Sequence, residues 1–147
     1  MVDDNMEQPT GFSGHRRYTM DDLAMLQPGL AMIMPIIGNR WWTLYYAAKA
    51  DNWVLAGFEL NEIKELMEVG AITRPKYESQ LIEFMDEHLS VIERSIKGKD
   101  WEALEAAYEE ATNSANAYHD ANKKGYIVWK LPDVPPSQLD LTPKITE

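Results

Sequence analysis

The sequence predicts an all-α protein: an antiparallel up-down-up-down four-helix bundle followed by an extended, proline-rich C-terminal tail. Three observations predict it. Apolar residues recur at spacings of three, four or seven through four segments between Met20 and Gly125, the period of an amphipathic helix. The connections between these segments are only a few residues long, which makes successive helices antiparallel neighbours. After Gly125 the helical period stops, and Pro132, Pro135, Pro136 and Pro143 follow. Their fixed φ and missing amide hydrogens argue against a fifth helix. The expected organisation is a flexible leader over 1–19, the bundle over 20–125 and a tail over 126–147 packed on the bundle.

The leader is polar, with Pro9, Gly11 and Gly14, and lacks the apolar stretch of a signal peptide. The first helical segment puts Leu23, Leu26, Leu30, Ile33, Ile37, Leu44 and Ala47 on one stripe. Thr19 or Asp21 suits its N-cap, Pro28 is compatible with a first turn, and Pro35 is expected to kink it. The second runs from about Asn52 to Met67, capped by Asp51 or Asn52, with Ala56, Leu60, Ile63 and Met67 in line and Gly70 as the stop. The third follows Thr73-Arg74-Pro75, with the proline in the first turn. Its apolar face is Tyr77, Leu81, Phe84, Met85, Ile92 and Ile96, and Gly98 ends it. The fourth starts at Asp100, carries Trp101, Leu104, Tyr108, Ala111, Ala115 and Tyr118, and closes at Gly125. In the tail, Tyr126-Ile127-Val128-Trp129 favours extended backbone, with Trp129 as the expected anchor.

Composition removes several function classes. The 147 residues include no cysteine, which excludes disulfides, Cys-ligated zinc, iron–sulfur clusters, thiol catalysis and thioether-linked haem. Lys and Arg number 14 against 24 Asp and Glu, a net charge of -10, and the longest basic clusters are the pairs Arg16-Arg17 and Lys123-Lys124. Such a chain lacks the basic face that binds a phosphate backbone, so no nucleic-acid partner is expected. The longest apolar stretch, Leu30 to Ile37, is broken by Pro35 and too short for a membrane span. A ferritin-like di-iron site needs Glu three residues before His; here those positions are Phe12, Met85 and Asn116. No serine sits in a nucleophile motif, no glycine-rich phosphate loop exists, and the pairs Asp21-Asp22 and Glu109-Glu110 read as solvated helix surface. No residue is therefore assigned a catalytic role, and the chain reads as a non-enzyme.

The fourth segment is the most specific. Ala115, Tyr118 and His119 are related by three and four residues and project from one side of a helix. This is the spacing of the haem-attachment motif C-x-x-C-H, with Ala115 and Tyr118 at the two cysteine positions and His119 at that of the ligand. Further residues extend the likeness: Leu26-Gln27-Pro28-Gly29-Leu30, Arg40, the run Ala50-Asp51-Asn52-Trp53-Val54-Leu55-Ala56, Glu59-Leu60, Lys99-Asp100-Trp101, Tyr108 and Asn116 to His119. Over about residues 20 to 132 the chain resembles the cytochrome c′-like four-helix-bundle proteins, a group of exported haem c proteins, in a form that lacks both attachment cysteines. The resemblance implies a periplasmic, homodimeric bundle concerned with haem, gas binding or electron transfer. It also implies His119 as metal ligand, with Tyr118 and Ala115 beside it in the cofactor site.

Two readings stay open. In the first, no cofactor is bound, and Trp41, Trp42, Tyr45, Trp53, Phe58, Tyr108 and Tyr118 fill the haem volume, since cavities are costly. The chain is then a binding protein for a protein partner or small apolar ligand. In the second, haem is held non-covalently through His119. Localisation is periplasmic if Met1 is not the native start and cytoplasmic if it is.

Three other features have plainer readings. His88 falls among Phe84, Met85, Val91 and Ile92 and reads as a core-edge histidine, with a second metal or haem ligand as the alternative. Arg40 interrupts the first stripe and is expected to pair with Glu59 or Glu62, with an anion or propionate contact as the alternative. Met20, Met25, Met32, Met34, Met67 and Met85 read as core packing rather than a copper site.

Overall fold

The computed structural model describes residues 8–144, and over them the chain is mostly helical. Strands β1 (Thr10–Phe12) and β2 (Arg17–Thr19) form an antiparallel hairpin that leads directly into α1 (Met20–Met25). Then come α2 (Leu30–Lys49), α3 (Trp53–Thr73), α4 (Glu78–Phe84), α5 (Ser90–Lys97) and α6 (Trp101–Ala121). A 3-10 turn at Pro75–Tyr77 opens α4, and a π-helical segment at Met85–Leu89 joins α4 to α5 in one rod.

The hairpin occupies what the sequence reads as a leader. Its turn is built by Gly14 at φ 94 and by Ser13, whose Oγ accepts from the His15 and Arg16 amides at 3.3 and 3.4 Å. Residues 1–7 of the expected leader lie outside the described residues. Thr19 then caps α1 in a reciprocal pair: its hydroxyl accepts from the Asp22 amide at 3.1 Å and its own amide donates to the Asp22 carboxylate at 2.9 Å.

The first expected helix is two. Residues 26–29 separate α1 from α2, and Pro28 precedes α2, with its carbonyl accepting from the Thr73 hydroxyl at 2.8 Å. Pro35 lies inside α2, and the helix continues through it without a break. Both Pro35 and Ala31, whose carbonyl loses its partner, are exposed, so water can take the place of the missing donor.

The helix ends follow one rule. Asp51, Lys99 and Lys123 have positive φ (63, 50 and 60°), and each stands immediately after a helix C-cap. In each case two amides fold back in the paired bonds of a Schellman motif, such as Asp51 to the Ala48 carbonyl and Asn52 to the Ala47 carbonyl. The glycines expected to end the helices do not take this conformation: Gly98 is a right-handed C-cap, and Gly70 lies buried inside α3. A Cβ on Gly70 would meet the Leu30 side chain at 2.8 Å. It is a small residue where α2 crosses α3 closely, and the helix runs on to Thr73. Asn52 and Asp100 cap α3 and α6, accepting from Leu55 and Ala103 amides at 3.1 and 3.0 Å.

α2 packs on α3, α3 on the α4–α5 rod, and α6 on that rod and on α2. The core includes Ile33, Leu44, Ala56, Leu60, Ile63, Leu89, Ile92, Leu104 and Ala111. At the α2–α6 contact Trp41 stacks on Tyr108, with centroids 4.1 Å apart and planes within 8°. Tyr45 packs beside them against Tyr108 and Trp101. Trp41, Tyr45, Trp53 and Tyr108 are buried, while Trp42 and Tyr118 are half-buried. Phe58 is exposed and departs from the expected set; the Arg40 guanidinium lies over its ring at 5.7 Å. Arg40 pairs with buried Glu59 at 2.8 Å and with Glu62 at 3.5 Å. The methionines divide. Met67 is buried, and Met34 and Met85 are half-buried, but Met20, Met25 and Met32 are exposed. Met20, Met25 and Met32 therefore depart from the core packing expected of them.

Candidate functional site at the end of α6 and beneath the tail

The last turns of α6 carry Ala115, Tyr118 and His119, all half-buried, with Ala115 and Tyr118 packed against the core. The Tyr118 ring meets Phe84 of α4 edge-on at 6.4 Å. Burial, then a hydrogen bond to the Glu83 carboxylate, push its phenol up to about 12. His119 Nδ1 lies 2.8 Å from the Ile127 carbonyl oxygen. A carbonyl only accepts, so Nδ1 carries the proton, and in the neutral ring Nε2 keeps its lone pair.

That bond is the first of a series in which bundle side chains hold the backbone of the tail. Asn116 makes two with one residue: its Nδ2 donates to the Trp129 carbonyl at 3.0 Å and its Oδ1 accepts the Trp129 amide at 2.9 Å. The Trp129 indole lies over Gly38 of α2, where a Cβ would come within 2.9 Å of Nε1, and meets Tyr108 edge-on at 6.4 Å. The Tyr46 hydroxyl donates to the Pro132 carbonyl at 2.7 Å, Trp42 Nε1 to the Val134 carbonyl at 2.9 Å, and Asn52 Nδ2 to the Leu141 carbonyl at 3.2 Å. Prolines supply no amide hydrogen, so a proline-rich segment offers carbonyls in excess, and donors on the helices satisfy them. Tyr126–Trp129, β-favouring in sequence, takes no strand: α6 side chains meet the Ile127 carbonyl and the amide and carbonyl of Trp129.

Farther along, the tail and the C-terminal end of α2 border an open hollow of ≈ 510 Å³. Its walls include Tyr46, Lys49, Pro135, Pro136, Leu139 and Leu141. A second hollow of ≈ 220 Å³ lies at the hairpin, between Phe12, Tyr18 and Leu23. Neither includes Ala115, Tyr118 or His119.

The site residues expected from sequence are thus together on α6, beside Glu83 and Phe84. His88 is half-buried in the π-helical segment with its ring 5.2 Å from Phe84. Among the described residues no three or more His, Asp or Glu side chains are grouped to hold a metal ion. Covalent haem does not fit: Ala115 and Tyr118 form no thioether. Non-covalent haem meets one matching feature, a half-buried imidazole oriented through Nδ1 by a carbonyl, the usual support of a ligating histidine.

Trp42, Tyr46, Lys49, Asn52 and the side chain of Asn116 were not singled out by sequence reasoning as site residues. Trp42, Tyr46 and Lys49 follow one another at helical spacing on α2, a legible signal of a shared side. What they face is set by the path of the tail, which has no periodicity to read. No family model matches this chain, nor does any curated protein or solved structure.

Proposed function

We propose that the chain is a non-catalytic binding protein, a cytochrome c′-like up-down-up-down bundle without covalent haem attachment, whose tail from 126 onward packs, over its described residues to 144, on the helices that precede it. Support for the antiparallel topology comes from paired positions. Leu30 meets Gly70 and Arg40 meets Glu59; Gly57 lies near Ile96 and Lys64 pairs with Glu93; Trp41 meets Thr112 and Tyr45 meets Glu105. In every pairing one helix ascends as the other descends. Homodimerisation and a periplasmic location come with the resemblance.

The observation that carries the binding reading is the ≈ 510 Å³ cavity between α2 and the tail, within the size range of small-molecule sites. Apolar side chains form much of its wall, which suits a small apolar ligand. Amide NMR of the full-length chain, titrated with a panel of small apolar compounds, tests this. Saturable shifts concentrated at residues 46–50 and 137–142 are expected; no saturable shift there would overturn the reading.

A second reading, non-covalent haem with electron-transfer or gas-binding activity, is favoured by the orientation of His119 through Ile127. When bound, haem would supply the redox or gas-binding iron, and His119 Nε2 would be its axial ligand. Titration with haemin should give a saturable Soret shift that His119→Ala abolishes. Absence of a shift at equimolar haemin removes this reading and leaves the first intact.

A further inference from the structure

We infer that the cavity between α2 and the tail is a site for an amphipathic monoanion, a carboxylate or sulfonate on an aromatic or aliphatic body, with Lys49 recognising its charge. This rests on the binding reading above and names the ligand class. The walls are apolar and stiff. Pro135, Pro136 and Pro143 fix their own φ angles, and Pro136 is fully buried. Bonds from Tyr46 to the Pro132 carbonyl and from Asn52 to the Leu141 carbonyl hold the chain on either side. A cavity so held costs a ligand little ordering on entry.

Two charged side chains line it, and they are not equivalent. Asp140 is already satisfied: its carboxylate accepts the Thr142 amide at 3.0 Å and the Lys144 ammonium at 3.1 Å. Lys49 makes no ion pair among the described residues. Its ammonium lies 5.9 Å from the Tyr46 ring centre and 6.0 Å from that of Tyr45, and its stem borders the cavity. With Asp140 matched by Lys144, the cation left over is Lys49, in a chain whose net charge is -10. One available ammonium beside apolar walls fits one negative charge on an apolar body. An inorganic anion would leave the walls unused, and a dianion would lack a second cation. Repulsion from distant acidic groups is screened beyond about 8 Å at physiological ionic strength, so the neighbouring ammonium dominates locally.

The test uses two fluorescent probes with similar bodies on the full-length protein at physiological ionic strength: anilinonaphthalenesulfonate, a monoanion, and phenylnaphthylamine, which is uncharged. Both should bind saturably. Lys49→Gln should weaken the anionic probe roughly threefold to fivefold, the worth of an exposed ion pair, and leave the neutral probe unchanged. Leu139→Glu, at a half-exposed wall position, should abolish binding of both without altering the far-UV circular dichroism. Leu139→Ser should weaken both and covers the case in which the glutamate variant fails to fold. If Lys49→Gln leaves the anionic probe unchanged while the Leu139 variants weaken both, the anion inference falls and the binding reading stands. If the Leu139 variants change neither probe, or neither probe binds, both fall.

Discussion

Lys99 and Lys123 hold left-handed backbone at φ 50 and 60°, a conformation that costs an L-residue with a Cβ about 1 kcal/mol and glycine almost nothing. Replacing Lys99 with glycine should therefore raise unfolding free energy by up to about 0.5 kcal/mol, after the greater flexibility of glycine in the unfolded chain is counted. Urea denaturation measures it directly, and a decrease would show that the lysine side chain contributes more than its strain. Arg40 is the opposite case. It compensates Glu59, which is 6% exposed, while its Nε is buried without a hydrogen-bond partner. Arg40→Met should destabilise by about 2 kcal/mol, because the carboxylate is left buried, with some relief from water through the partly open side. The double variant Arg40→Met with Glu59→Met should recover most of that loss; two additive penalties would contradict the account. The pairing of Arg40 with Glu59 or Glu62 was legible in sequence, since an arginine within an apolar stripe needs a carboxylate on the next helix. The identity of the left-handed residues was not. Glycine is the usual choice for that position, but the left-handed residue falls one after the Gly98 cap and two before Gly125, and α3 runs through Gly70 to Thr73.

Among the elements, α2 does most to organise the molecule. One side buries Ile33, Ile37, Trp41 and Leu44, while Gly38, Trp42 and Tyr46 receive the tail. The tail has no ladder of its own, so its order depends on the series of side-chain bonds and on the Trp129 anchor. Trp129→Ala should release it: proteolysis within 126–144 should accelerate at least severalfold while far-UV circular dichroism of the helices stays unchanged. Equal protection in wild type and variant would show that the remaining bonds suffice. A second link joins α3 to α5. Lys64 and Glu93 pair at 3.0 Å, and hydrogen bonds from Lys64 and then Lys97 hold the Glu93 carboxyl below its ordinary range. A folded value below the unfolded one, about 4.3, adds stability above that pH and loses it as pH falls through the folded value. Glu93→Gln should lower the melting temperature at neutral and alkaline pH, leave it nearly unchanged below the folded value, and so flatten the acid slope. An unaltered acid slope would remove Glu93 from the explanation.

For the whole molecule, the tyrosine clusters set an alkaline limit. Burial, followed by the hydrogen bond to Glu105, pushes Tyr45 up to about 12, and Tyr118 reaches about 12 for related reasons. Tyr108, buried against Trp41, is raised as well. Each folded value exceeds the unfolded one near 10. Their contribution is therefore complete below pH 10 and lost as pH rises from there toward 12. Thermal melts across that interval should show a steep decline accompanied by phenolate absorbance, and Tyr45→Phe should reduce its slope. If phenolate formed well before unfolding, these phenols would not be the cause. The sequence by itself determined the helical segments, several caps, much of the core and the absence of covalent haem, because periodicity, capping chemistry and cysteine content are local or compositional. It also placed Ala115, Tyr118 and His119 on one side of α6 through helical spacing alone. Only the tertiary structure decided that His119 and Asn116 hold the tail, that Trp129 rests on Gly38, and that Lys49 borders a cavity. Those are contacts of an aperiodic segment with distant helices, and their register comes from packing and from carbonyls that need donors.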